Sequence, residues 1–141
     1  MQELDKVIEE INKKYGLDGV SVENYRNCFE INRELYLRLI KLDFYQEEID
    51  LKGYNITHYA SIFSKNGKKY IVDLTYLQFF CDEVYNDDEV KLPNFESYYQ
   101  TEKEKDVIKK LLQKGRIPYT EENLRIYLKG FQMSLDAGIK L

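Results

Sequence analysis

The chain has no tryptophan, a single histidine and only two cysteines. Each scarcity narrows the chemistry. Cys28 and Cys81 stand far apart and form no Cys-x-x-Cys, which argues against a disulfide framework and against a zinc site. No apolar run approaches the roughly 18 residues that cross a bilayer, so no membrane partner is expected. No basic excess is present either. A net charge of −4 argues against a nucleic-acid partner, which needs a Lys/Arg surface for phosphates. The opening residues MQELDKVIEEINKKY carry no signal-peptide pattern, so a soluble chain is expected, with any export address elsewhere.

What remains is an ordinary globular balance, 43% apolar and 33% charged, over 141 residues. That length is enough for one domain spanning 1–141. Thirteen tyrosines are expected at half-buried positions with a wet hydroxyl. Leu4, Val7, Ile8, Ile11 and Tyr15 recur at helical spacing and predict an amphipathic helix over 3–15. A second helix is predicted from about 27 to 42, with Ser21, Asn24 and Asn27 as possible N-caps. Cys28, Ile31, Leu35, Leu39 and Leu42 form one stripe of it; Phe29, Tyr36, Leu37 and Ile40 form another. Apolar on two sides, it is expected to be central and buried. A strand is predicted over 44–51. The acidic stretch 82–89 does not match an EF-hand loop and reads as a solvated loop. An irregular surface segment is expected over 93–100. A helix over 102–114 ends at Gly115, 116–119 is a connector, and Thr120 caps a last helix. Leu124, Tyr127, Leu128, Phe131 and Leu135 give that helix its core stripe. Strands grouped apart from helices predict an α+β fold with an antiparallel sheet.

The centre of the pattern is a hairpin. Asn66-Gly67 lies between two alternating apolar runs, and both turn positions of a two-residue loop need φ > 0. Pairing Lys65 with Lys68 places Phe63 opposite Tyr70, Ala60 opposite Asp73 and His58 opposite Thr75. With a side-chain period of two, His58 and Asp73 share a face as diagonal neighbours, within reach of each other.

A thiol at a helix start, an imidazole and a carboxylate form a nucleophile, base and orienter. The positive end of the helix favours a thiolate, the reactive form of sulfur, and its free N–H groups can stabilise an oxyanion. Asp73 is expected to fix the His58 tautomer and leave one ring nitrogen for Cys28. Asn24 and Asn27 are both open as a second oxyanion donor. Each residue also has a bland reading: Cys28 as inert core, His58 as half-buried filler, Asp73 as a turn residue. Cys81 takes the bland reading outright.

The stretches Asn27-Cys28-Phe29-Glu30-Ile31, His58-Tyr59-Ala60 and Gly67 to Thr75, with Gln78-Phe79, resemble the papain-like toxin domain of bacterial polymorphic toxins. The string also resembles effector glutamine deamidases and transglutaminase-like enzymes, and Gly115 to Leu124 is similar to the tail of the toxin family. The resemblance implies a papain-like, transglutaminase-like fold whose antiparallel sheet packs on a central helix carrying the cysteine. It implies Cys28 as nucleophile, His58 as base and Asp73 as orienter, with Thr75 and Gln78 in support. It also implies a hydrolase that cleaves an amide of a target-cell protein, needs no metal or organic cofactor, and acts in the target-cell cytosol after export within a larger toxin. A cognate immunity protein is expected to cover the site. One departure is Val22, where papain-type proteases keep a glutamine near the cysteine; that absence favours a deamidase-like site. The competing expectation is a non-catalytic acidic binding module or immunity-type protein.

Overall fold

The computed structural model describes residues 2–17, 27–54, 58–76 and 101–136. The acidic stretch 82–89, the segment 93–100, Ser21, Val22, Asn24, Gln78 and Cys81 lie outside them. The elements run α1 (Gln2–Tyr15), α2 (Cys28–Ile40), β1 (Tyr45–Glu48), β2 (Ser61–Lys65), β3 (Lys68–Val72), α3 (Glu102–Lys114), β4 (Arg116–Pro118) and α4 (Glu121–Asp136). The fold is α+β, with a sheet of order β1-β2-β3-β4 whose neighbours all pair antiparallel.

The hairpin has the register its turn predicts. Lys65 pairs with Lys68, Phe63 with Tyr70 and Ser61 with Val72. Asn66 and Gly67 both have positive φ, 54° and 79°, as the two central residues of a type I′ turn require. The expected connector 116–119 is instead a strand. Ile117 pairs with Ile71 and Arg116 with Val72. Three residues are too few to show alternation, so the sequence hides β4. Pro118 is tolerated because β4 is an edge strand, where a missing N–H breaks no ladder on the outer side.

The strand period sorts the core into two layers of helices. Ile62, Ile71 and Ile117 face α3 and α4, packing with Ile108, Leu111, Ile126, Tyr127 and Phe131. Phe63 and Val72 face the other way, packing with Leu4, Ile8 and Ile11 of α1 and Ile31, Leu35 and Leu39 of α2. The sheet is therefore covered on both faces. This corrects the expectation of a central, buried helix. α2 lies in an outer layer and buries one stripe only; Phe29 is 55% exposed and Leu37 and Ile40 45% each. An outer-layer helix has one neighbouring surface, so its second apolar face meets solvent.

Caps end the helices where the composition indicates. Thr101 accepts from the Glu104 N–H, and Thr120 accepts from the Asn123 N–H. Asn27 is the N-cap residue of α2, but its side chain makes no cap hydrogen bond. Arg116 forks onto both Asp5 oxygens, at 2.6 and 3.2 Å, and ties β4 to α1.

Gly115 closes α3 at φ 74°, and its carbonyl accepts from the Asp73 N–H. A Cβ there would sit 2.3 Å from Leu74 Cδ2, whereas one on Gly67 would meet nothing within 4 Å. Both glycines share the left-handed strain, about 1–2 kcal/mol for an L-residue. Gly115→Ala is therefore expected to lower the melting temperature clearly more than Gly67→Ala. Equal losses in thermal melts would show that the Leu74 contact carries no weight.

Candidate active site

His58 and Asp73 sit just past the last paired residues of the hairpin, Ser61 and Val72. Their period puts both on the face covered by α4. His58 Nε2 lies 2.7 Å from Asp73 Oδ2, and both side chains are 1% exposed. The diagonal pairing expected from the hairpin is thus formed, beyond the ladder rather than within it.

The Asp73 carboxylate is fully engaged. Oδ2 takes the imidazole and also the Tyr127 hydroxyl, which donates at 2.6 Å. Oδ1 accepts from the Thr75 N–H at 3.0 Å and the Thr75 hydroxyl at 3.2 Å. The backbone N–H of Asp73 donates to Gly115, anchoring it to the start of β4. Tyr127 is itself fixed, because the Tyr76 hydroxyl donates to its carbonyl at 2.6 Å. Tyr76 and Phe131 pack around it, and the Phe131 ring lies 5.7 Å from the imidazole.

Cys28 is the first residue of α2, half-buried, with a free thiol. It lies close enough to the His58 ring to help hold the imidazole protonated. α2 belongs to the opposite layer, so thiol and ring meet where the strands run past their pairing. The first intrahelical bond runs from the Ile31 N–H to the Asn27 carbonyl at 2.9 Å. The N–H groups of Cys28, Phe29 and Glu30 precede it, and the Asn27 side chain caps none of them. Donors and the positive end of the helix dipole thus converge beside the sulfur.

Burial pushes the His58 imidazole down. The charge and hydrogen bond of Asp73, helped by those of Cys28, outweigh it and hold the ring up at about 9. Burial and the neighbouring Asp73 charge push the Tyr127 hydroxyl well above its ordinary range, so it stays a donor. At neutral pH the His58 ring is therefore held protonated.

Of the expected residues, Cys28, His58, Asp73 and Thr75 come together. Asn27 is exposed at the helix start, adjacent to the thiol; Asn24 and Gln78 lie outside the described residues. Tyr127 escaped the sequence reading, which took it for core. Its signal was a tyrosine in an otherwise aliphatic and aromatic stripe, since a buried hydroxyl needs a partner. A cavity of about 590 Å³ between α1 and the end of α3, lined by Asp5, Asn12 and Arg116, shares no residue with this site. No described helix is long and apolar enough to cross a membrane. Among the described residues, no three His, Cys, Asp or Glu side chains gather as metal ligands. No family model, curated protein or solved structure matches the chain.

The raised imidazole has a consequence for stability. Its proton contributes fully below the ordinary value of 6.5, and that contribution is lost as pH rises towards about 9. Unfolding free energy from urea titrations is expected to fall across this window, by at most about 1.4 kcal/mol per pH unit for one proton. His58→Gln should remove the slope. A slope of opposite sign in the wild type would mean that burial, not Asp73, governs the ring.

Proposed function

We propose that this protein is a cysteine-dependent enzyme that cleaves an amide of a target protein, with Cys28 as nucleophile, His58 as acid and base, and Asp73 as orienter. The observation that carries the reading is the His58 ring. One nitrogen is held by a carboxylate whose two oxygens are both engaged, and the ring lies beside a thiol at a helix start.

The chemistry follows from these positions. An imidazolium beside the sulfur favours the thiolate. The thiolate attacks the amide carbon, and the new oxyanion meets the first-turn N–H groups of α2. His58 gives its proton to the leaving nitrogen as the C–N bond breaks, releasing ammonia from a glutamine carboxamide or an amine from a peptide bond. A thioester remains. The neutral ring then takes a proton from water, which attacks the thioester, frees the acid and restores thiolate and imidazolium. No step needs a metal or an organic cofactor.

The resemblance to papain-like toxin domains, glutamine deamidases and transglutaminase-like enzymes supports the same roles, and with them a papain-like fold for the chain. On this reading the protein is exported as part of a larger toxin, acts in the target-cell cytosol, and is restrained by an immunity protein that covers Cys28. The exposed apolar face of α2, which begins at Phe29 beside the thiol, favours a second reading as a binding module without catalysis.

Expression in a susceptible cell, with mass spectrometry for glutamine-to-glutamate conversion or new peptide ends, separates the two. Cys28→Ala and His58→Ala are expected to fall to background together, because triad members act as a unit. Asp73→Asn should stay folded and lose about 10- to 1,000-fold, less than in serine triads because a thiol is the stronger nucleophile. Cys81→Ala should keep wild-type activity and toxicity. Cys28 should also alkylate with iodoacetamide near neutral pH faster than Cys81. If folded Cys28→Ala stays as harmful as wild type, the binding-module reading takes over.

A further inference from the structure

One turn along α2 from Cys28 lies Asn32, 8% exposed. Its carboxamide is held by a chain of hydrogen bonds across three elements. Gln46 Nε2 of β1 donates to Ser61 Oγ at 2.8 Å, and the Ser61 hydroxyl then donates to Asn32 Oδ1 at 3.0 Å. Ser61 is fully buried. With Oδ1 occupied, the amide presents only its Nδ2 protons, and no described group accepts from them. Asn32 Nδ2 is not a buried orphan, so its protons are held open to solvent at the protein surface. A network that spends buried bonds on fixing such a donor points to an acceptor from outside.

The donor opens into a groove of about 250 Å³ between α2 and β1. Phe29 and Tyr59 wall it, together with Tyr36, Gln46 and Glu48. Phe29 and Tyr59 directly follow the nucleophile and the base, and their rings meet edge to face at 5.1 Å. The groove therefore starts beside the reacting atoms. Asn32 is also four residues from Cys28, which puts their Cβ atoms on one helix face about 5–6 Å apart. Side chains on a helix lean towards its N-terminus, here towards the thiol.

We propose that this groove is the substrate subsite, that Asn32 donates to a carbonyl oxygen of the polypeptide carrying the attacked amide, and that the aromatic wall seats an apolar side chain of that polypeptide. A donor whose own oxygen is taken selects an acceptor and gives a cation no ligand. The half-exposed rings of Phe29, Tyr36 and Tyr59 offer apolar contact where a free enzyme gains nothing from it. The proposal rests on the thiol reading of Cys28 and deepens it.

Two thiol reagents separate the inference from that reading. Methyl methanethiosulfonate has no carbonyl and reports the thiol alone. Acetyl-phenylalanyl-glycyl chloromethyl ketone carries peptide carbonyls and an apolar side chain. Asn32→Asp keeps the acceptor for Ser61 and removes the donor; Asn32→Ala removes both, and thermal melts check that each folds. Relative to the methanethiosulfonate rate, Asn32→Asp should slow the chloromethyl ketone about tenfold or more, since tenfold corresponds to about 1.4 kcal/mol. In the wild type, the phenylalanyl ketone should outrun its glycyl-glycyl counterpart, and Tyr36→Ala should narrow the gap. A wild-type Cys28 no faster than free cysteine towards methanethiosulfonate would sink the enzyme reading itself. A reactive Cys28 with an unchanged rate ratio in Asn32→Asp, or with equal rates for the two ketones, would overturn the subsite alone.

Discussion

A buried carboxylate must be surrounded by donors or it gives up its charge, and Asp73 is where this protein meets that constraint. Four hydrogen bonds reach its two oxygens, from the His58 ring, the Tyr127 hydroxyl and two groups of Thr75. They come from the segment before β2, from α4 and from the turn after β3. The backbone of the same residue is fastened to Gly115 at the foot of α3. The elements on one side of the sheet are thus registered on a single anion. The anion in turn sets the orientation and charge of the imidazole.

The two helical layers divide the work. Tyr127 and Phe131 of α4, with Tyr76 from the turn after β3, supply the aromatic packing that keeps water from the His58–Asp73 pair. In that dry setting the attraction between ring and carboxylate is strong enough to overcome the cost of burying a cation. α1 and α2 form the other layer and deliver the thiol from the far side of the sheet. Ion pairs of Lys14 with Glu34 and of Glu10 with Arg38 hold α1 against α2. They are largely surface pairs, so packing of Ile31, Leu35 and Leu39 carries the position of the helix.

The exposed half of α2 is the other side of the same arrangement. A helix that presents its first turn at the rim of a sheet cannot also lie at the centre of the molecule. Phe29, Tyr36, Leu37 and Ile40 are the residues left facing outward. Phe29 directly follows the thiol, and with Tyr36 it lines the groove beside Asn32.

By itself the sequence determined what depends on neighbours close along the chain. Asn66-Gly67 set the hairpin register, because few residue pairs accept two positive φ angles, and the register brought His58 to Asp73. Helical spacing placed α1, α2, α3 and α4, and Cys28 fell at a helix start because Asn27 precedes an apolar-periodic run. Tertiary structure alone decided the rest. β4 has three residues and becomes a strand only because β3 offers it an edge. Whether the second stripe of α2 is buried depends on how many layers lie above it, which periodicity does not encode. Tyr127 meets Asp73 across 54 positions of chain, and Asn32 meets Ser61 across 29. Hydrogen bonds between elements so distant leave no local pattern, because their partners are chosen by the packing of layers.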